Sequence, residues 1–265
     1  MQRDIPQGIA PLLEAYSTAI EQQLPGLTAG LYLHGSIALG AFNERSSDID
    51  AIAVISRCCT ASDVEVLKNI HQAIQKHYPR PFLEVIYLQA SDLGQPKDKI
   101  EPHPYAHDGD FYPSGHFELN SITWWLLKNR GITLLGTPAT ELAFSVDWDR
   151  LIANMRINLN SYWRSYTRNP QRIAMLLSDF GVQWAVLGVL RQYYSFMEHG
   201  ITSKDGAGLY ALEHVPERWH RLIREALNIR SRTRQSLYGS PIVRAFDIYR
   251  FLKYIIRESN KLTPQ

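Results

Sequence analysis

The chain has 265 residues, a formal net charge of +2, and a composition that is 45% hydrophobic and 20% charged. This length suits two domains, and the composition is that of a globular protein with a sizeable core. The mild positive charge neither requires nor excludes a phosphate-rich partner. The two cysteines, Cys58 and Cys59, are adjacent, so neither a disulfide nor a zinc site is expected. Without a signal-peptide pattern or an apolar run of membrane-spanning length, we expect a cytoplasmic protein with no membrane partner.

Apolar periodicity over the first half of the chain predicts alternating helices and strands. Helices are predicted over residues 9–23, 37–41, 62–77 and 122–128, and strands over 27–34, 49–55, 82–88 and 132–135. The segment 90–120 is polar, rich in proline and contains three histidines, so we predict a long irregular loop there. A loop of this length within a compact domain is more often functional than idle.

After residue 146 the pattern becomes helical. Helices are predicted over 151–166, 172–198, 205–213, 217–229 and 241–258. The sequence therefore predicts an α+β protein in which domain 1–146 combines strands and helices and domain 147–265 is helical.

Two carboxylates follow a Gly-Ser pair in the first domain. Gly35 and Ser36 come directly after a predicted strand and open a short helix, where backbone N–H groups favour an anionic phosphate. Asp48 and Asp50 lie two residues apart at the start of the next strand, so their carboxylates face the same side. Two carboxylates on one rigid face suit Mg²⁺ when a triphosphate supplies its remaining ligands.

Glu84 adds a third acidic group within the apolar strand 82–88. A lone glutamate facing a core is costly unless it binds a metal or pairs with a cation. Three acidic groups from two neighbouring strands can hold two metal ions, one on the triphosphate and one on the attacking hydroxyl. Glu84 can also accept the proton of that hydroxyl.

Each element has a simpler interpretation when it is taken alone. Gly-Ser turns are common, and two aspartates at a strand edge are often a solvated turn or a helix cap. Their combination in this order, with a third carboxylate on the next strand, favours a nucleotide and metal site. The sequence has no Walker A, GxGxxG or GxSxG pattern that would offer another nucleotide or hydrolase site.

The motif resembles that of the DNA polymerase β nucleotidyltransferase superfamily in the residues His34-Gly35-Ser36, Ser47-Asp48-Ile49-Asp50 and Glu84. The two-domain layout is similar to the bacterial aminoglycoside adenylyltransferases that modify streptomycin and spectinomycin. Segments 131–138, 186–194, 200–205 and 211–216 carry this closer likeness. The resemblance implies a mixed sheet flanked by helices in the first domain and an all-α bundle in the second.

The resemblance also implies roles for particular residues. Asp48, Asp50 and Glu84 would bind two Mg²⁺ ions, with Glu84 as the catalytic base. Gly35, Ser36 and Ser47 would lie against the triphosphate of ATP.

In the second domain, Lys204 would reach the phosphates as a point charge that stabilises the leaving pyrophosphate. Arg230 stands near a tyrosine position of the family. The cluster of Arg230, Arg232 and Arg234 is either a favourable charge pattern at a helix C-terminus or a second set of phosphate contacts.

The implied acceptor is a small polycationic or aminocyclitol compound, whose pocket should be acidic and partly aromatic. Phe111 and Tyr112 are candidate pocket residues, because the loop lacks the tryptophan of streptomycin-modifying relatives. Asp179 lies close to an aspartate of those relatives and is equally interpretable as a helix-cap or surface carboxylate. The histidines of the loop fit no closed zinc site.

The leading hypothesis is Mg²⁺-dependent transfer of AMP from ATP to an antibiotic hydroxyl, with release of pyrophosphate, by a monomeric enzyme. One alternative is a member of the same superfamily that acts on a protein, a tRNA or another metabolite. The small net charge argues against nucleic acid, since a tRNA substrate calls for a broad basic face. Another alternative is a non-catalytic nucleotide-binding or antitoxin-like protein. The presence of all three carboxylates argues against it.

Overall fold

The computed structural model describes residues 5–233 and 235–262. The chain divides into two compact units, Met1–Val146 and Asp147–Gln265, which we call the N-terminal and C-terminal units. Within the described residues, no helix has both the length and the apolarity needed to cross a membrane.

The N-terminal unit is built on a six-stranded mixed sheet with the strand order β5-β4-β3-β2-β1-β6. Its strands are β1 (Thr28–Leu33), β2 (Ile49–Ile55), β3 (Leu83–Gln89), β4 (His103–His107), β5 (Asp110–Gly115) and β6 (Ile132–Leu135). Its helices are α1 (Ala10–Gln23), α2 (Gly35–Ala38), α3 (Ala61–His77) and α4 (Ser121–Arg130). β2 and β3 pair in parallel, whereas the other neighbouring strands are antiparallel. The predicted α+β class is confirmed.

The two faces of the sheet bury different sets of side chains. Residues such as Ala51 and Val85 pack with apolar residues of α1 and α3. Their strand neighbours Ile52 and Ile86 point the other way and pack against Trp124 of α4. This alternation follows from the two-residue period of a strand, and it decides which polar side chains share a face.

A β-hairpin formed by β4 and β5 occupies part of the segment 90–120, so the prediction of an irregular loop was wrong there. His107 pairs with Asp110 across a two-residue turn made by Asp108 and Gly109. Both turn residues have positive φ, 51° at Asp108 and 84° at Gly109. Asp-Gly is a favoured pair for such a turn because aspartate tolerates this region and glycine adopts it freely.

A buried polar cluster lies between α1, α3 and β3. The Tyr87 hydroxyl is 2.7 Å from the Tyr16 hydroxyl and 2.7 Å from Nε2 of His71. The ring of Phe111 from β5 stacks on His71 with 5.5 Å between centroids. Burial lowers the pKa of His71 from 6.5 to about 3, because the imidazolium form would lose its hydration.

The free energy of unfolding should therefore fall as the pH drops below 6.5 towards 3, since unfolded His71 takes up a proton that folded His71 refuses. The stability contributed by the neutral ring is fully present above this window and is lost within it. At pH 5 the loss from this one group is about 2 kcal/mol. Urea titrations at pH 7 and pH 5 can measure it.

His71→Gln serves as the comparison. We expect the variant to be less stable than the wild type at pH 7. Between pH 7 and pH 5 its free energy of unfolding should fall by about 2 kcal/mol less than that of the wild type. An equal loss in both proteins would show that His71 is not a source of the acid sensitivity.

The C-terminal unit is helical, with short 3-10 and π turns. Its helices are α5 (Trp148–Asn158), α6 (Pro170–Met175), α7 (Asp179–Glu198), α8 (Lys204–His214), α9 (His220–Arg230) and α10 (Pro241–Lys261). The helix predicted over 172–198 is two helices, because Ser178 caps a new start: its Oγ accepts a hydrogen bond from the Gly181 N–H at 3.0 Å. α5 runs into a π turn at Leu159–Trp163.

Candidate functional site

Three carboxylates lie at the ends of the parallel strands β2 and β3. Asp50 and Glu84 are paired positions in the ladder, so both side chains are on the face that also carries Ile52 and Ile86. Asp48 directly precedes β2 and is close enough to add to the electrostatic repulsion at Glu84. The structure brings together the acidic residues that the sequence analysis selected.

Glu84 is the most perturbed of the three. Its side chain is 7% exposed, and burial raises the pKa of its carboxyl from 4.5 to about 8. The Asp108 backbone N–H opposes this shift, while the charges of Asp50 and Asp48 reinforce it. Burial and the two neighbouring charges disfavour the ionised form of Glu84. A divalent cation bound among the three carboxylates would relieve the repulsion between them.

Gly35 makes room for one of these carboxylates. A Cβ atom at this position would lie 1.8 Å from Asp50 Oδ2 and 2.6 Å from Asp50 Cγ. Gly35 also has a φ of +57°, which glycine adopts without strain. The turn between β1 and α2 and the carboxylate of Asp50 therefore fit together only because position 35 has no side chain.

The residue after Gly35 carries a buried hydroxyl group. Ser36 Oγ is buried and makes no hydrogen bond within the described chain. Buried hydroxyl groups are normally satisfied, and an unsatisfied one calls for a partner such as a bound oxyanion. Together with the carboxylates of Asp48, Asp50 and Glu84, which are hard oxygen donors, this corner fits a Mg²⁺-bound triphosphate.

Ser47 and Asp48 are held by the loop before β2. Ser47 Oγ accepts a hydrogen bond from the Asn43 N–H at 3.0 Å, and the Ser47 N–H donates to the Asn43 carbonyl at 2.8 Å. Asp48 Oδ1 lies 3.3 Å from Nη1 of Arg80, whose guanidinium stacks 3.5 Å above the Phe82 ring centroid. In this structure Ser47 thus fixes the loop that carries Asp48.

The sequence analysis missed His107 as a member of this site. His107 Nδ1 is 2.7 Å from Glu84 Oε1, and Nε2 is 3.3 Å from Asp108 Oδ2. One ligand atom from each of Glu84, His107 and Asp108 falls within a 4.8 Å group that could hold a metal ion. The spacing of the histidines along the chain did not reveal this arrangement, because pairing between the strands brings the three residues together. The Asp-Gly turn that follows His107 was the available signal.

Phe111 and Tyr112 lie on opposite faces of the sheet. Tyr112 pairs with Tyr105, and the two rings stack with centroids 4.7 Å apart on the face of Glu84. Phe111 points the other way and packs against His71 and the α1–α3 core. Tyr112 stays a candidate for the acceptor pocket. Phe111 is half-buried against the core on the face away from the carboxylates, which corrects its prediction as a pocket residue.

Two predicted site residues of the C-terminal unit, Arg230 and Asp179, each form an ion pair with a residue of opposite charge. Arg230 has a side chain that is only 7% exposed, and its Nε lies 2.9 Å from Asp205 Oδ2. Asp179 Oδ1 lies 2.8 Å from Nη2 of Arg244, while its own side chain is 69% exposed. The structure favours a packing role for Arg230 over the predicted phosphate contact, and it places Asp179 in the first turn of α7 as a paired helix-terminal carboxylate.

Lys204 is the first residue of α8, and its Nζ lies 5.0 Å from the ring centroid of Trp184. This is a cation–π distance, so the ammonium group is oriented within the C-terminal unit. Arg234, the last member of the predicted basic cluster, lies outside the described residues.

Comparisons with known proteins give three matches with related descriptions. Residues 155–247 match the family model described as aminoglycoside adenylyltransferase, C-terminal domain. Over 235 residues the chain is 22% identical to spectinomycin 9-adenylyltransferase of Campylobacter jejuni, and the alignment covers 84% of each protein. The fold is similar to that of spectinomycin adenyltransferase AAD(9) from Enterococcus faecialis, whose crystal structure was determined with ATP and spectinomycin. That match has a TM-score of 0.68 and 16% identity, and it covers 93% of this chain and 98% of the other. The domain match, the sequence relative and the fold therefore agree: the chain is similar to aminoglycoside adenylyltransferases.

Proposed function

We propose that this enzyme transfers AMP from ATP to a hydroxyl group of an aminoglycoside or aminocyclitol antibiotic, releases pyrophosphate and thereby confers resistance. The observation that carries the proposal is the corner where Asp50 and Glu84 pair across β2 and β3. Gly35 and the buried Ser36 hydroxyl complete this corner. Similarity to the family model and to the sequence relative supports the choice of adenylyl transfer among the reactions that such a corner allows.

The proposed reaction is an in-line displacement at the α-phosphorus of ATP. Asp48, Asp50 and Glu84 would hold two Mg²⁺ ions, which supply positive charge to the triphosphate and acidify the acceptor hydroxyl. The acceptor oxygen forms the new bond to the α-phosphorus as the bond to the β-phosphate oxygen breaks. Glu84 takes the proton of the hydroxyl, and the electron pair of the broken bond leaves with pyrophosphate.

The chain's own residues orient the groups in this reaction. His107 Nδ1 and the Asp108 N–H both contact Oε1 of Glu84, at 2.7 Å and 3.2 Å, and so fix the direction of the carboxyl group. Ser36 Oγ would donate its hydrogen bond to the triphosphate. Lys204 is proposed to contact the phosphates, where a point charge would stabilise the leaving pyrophosphate.

Spectinomycin is the first acceptor to test, because the sequence relative and the solved structure are both named for it. Streptomycin is the second. Tyr112, stacked on Tyr105 on the carboxylate face, is the proposed aromatic contact for the acceptor. We also propose that the enzyme works as a monomer in the cytoplasm, where ATP is available, and light scattering after size exclusion would measure its mass.

The deciding experiment is pyrophosphate release from ATP and Mg²⁺, screened against spectinomycin, streptomycin and other aminoglycosides. We expect one drug class to trigger release and to gain the mass of AMP. ATP binding without release for any drug would point to a member of the superfamily with a protein, tRNA or metabolite acceptor, or to a non-catalytic nucleotide-binding protein. A failure to bind ATP in Mg²⁺ would favour the antitoxin-like alternative.

A further inference from the structure

A basic cavity in the C-terminal unit lies outside the residues used so far. It is open, has a volume of about 400 Å³ and is lined in part by Arg164, Arg168, Lys253 and Arg257. The first two belong to the turn after the π segment, and the last two lie one helical turn apart on α10. We propose that this cavity binds a small anion that carries two or more phosphate groups.

The charge around the cavity is not balanced by the protein. Over residues 5–233 and 235–262, Arg164, Arg168 and Lys253 form no ion pair with a carboxylate. Arg257 Nε lies 3.1 Å from Glu258 Oε1, but Glu258 also holds Lys261 at 2.9 Å. Like charges around one cavity repel, and an anion bound among them removes that cost.

Arg164 is held in place by neutral groups. Its Nη2 donates to Asn160 Oδ1 at 2.8 Å, and Asn160 pairs in turn with the amide of Asn260 at 2.9 Å. Asn260 itself lines the cavity. Amide partners orient a guanidinium without cancelling its charge, so Arg164 keeps its full attraction for an oxyanion at a fixed position.

The size and chemistry of the cavity indicate a phosphate compound of nucleotide size or smaller. A volume near 400 Å³ falls within the range of small-molecule sites. Three guanidinium groups can each form paired hydrogen bonds with phosphate oxygens, and Lys253 adds a point charge. Tyr249 also lines the cavity. The Lys253 Nζ lies 5.4 Å from the centroid of its ring, a cation–π distance that helps to orient the ammonium group.

This site is independent of the proposed adenylyl transfer, because it shares no residue with the carboxylate corner and needs no metal. The test uses the full chain and inorganic tripolyphosphate in the presence of EDTA, with isothermal titration calorimetry as the readout. Three variants are compared with the wild type: Arg168→Gln/Lys253→Gln at the cavity, Arg224→Gln/Arg250→Gln at exposed positions that do not line it, and Asp50→Asn in the carboxylate corner.

We expect the cavity variant to weaken tripolyphosphate binding by about tenfold or more, and the control with the same charge change to stay within about twofold. Asp50→Asn should bind like the wild type, whatever its effect on adenylyl transfer. Equal weakening in the two double variants, or loss of binding in Asp50→Asn, would overturn the proposal. So would a wild type that binds a single-stranded oligonucleotide but not tripolyphosphate. Circular dichroism confirms that each variant is folded.

Discussion

Replacing Glu84 with glutamine should lower the rate of adenylyl transfer by about a thousandfold or more. Glutamine keeps the shape of the side chain but cannot accept the acceptor's proton, and loss of a general base alone costs about 10²–10⁴ in rate. It also removes a charge from one of the three proposed metal ligands at the carboxylate corner. Pyrophosphate release and ATP binding, measured on the same preparation, separate the chemical step from binding.

Glu65→Gln on the exposed face of α3 is the matched control and should keep the wild-type rate. Glu84→Gln should be at least as thermally stable as the metal-free wild type, because a neutral amide at this buried position avoids the penalty that raises the pKa of Glu84 to about 8. A variant that retains more than about a tenth of the wild-type rate would remove Glu84 from the role of base.

Replacing Gly35 with alanine should lower the rate by about a hundredfold or more and should also destabilise the N-terminal unit. The new Cβ would meet Asp50 Oδ2 at 1.8 Å, so either the carboxylate or the β1–α2 turn has to move. A displacement of about 1 Å in a catalytic group is enough for a loss of this size. The positive φ of 57° adds a backbone cost of about 1 kcal/mol.

Gly40→Ala separates these two effects. Gly40 has a φ of +67°, but a Cβ there would meet no heavy atom within 4 Å. We expect this variant to lose stability through the backbone term and to keep its activity. If the two variants lose activity to the same extent, the close approach of Gly35 to Asp50 is not what the reaction depends on. Kinetics and thermal unfolding of both proteins decide the point.

Local signals in the sequence were sufficient for the central sheet and the carboxylates. β1, β2 and β3 are short apolar runs between turn residues, and buried strands of this kind can be recognised from one sequence. Asp48, Asp50 and Glu84 interrupt or flank these runs. A carboxylate at such a position is costly unless it binds a cation, so it can be recognised as a candidate functional residue. Their juxtaposition then follows from the pairing of neighbouring strands.

Other features depended on contacts between residues distant in the sequence. The hairpin of β4 and β5 was missed because prolines and histidines obscure its alternation, although Asp108-Gly109 is a recognisable turn. Contacts of His107 with Glu84 and of Arg230 with Asp205 depend on packing, which no spacing along the chain encodes. Phe111 was misplaced because, without the strand, nothing showed that it and Tyr112 point in opposite directions.

The opposite directions of Phe111 and Tyr112 constrain how the hairpin can vary among related sequences. β5 packs the half-buried Phe111 against the core and places Tyr112 on the carboxylate face, and the Asp108-Gly109 turn sets its register. Insertion or deletion of one codon in this strand would exchange the two faces, bury a tyrosine hydroxyl and expose the phenyl ring. Changes of two codons, or substitutions at Tyr112 and at the positions two residues away, preserve the core. If Tyr112 contacts the acceptor as proposed, variation that alters acceptor preference should accumulate at alternate codons of this strand.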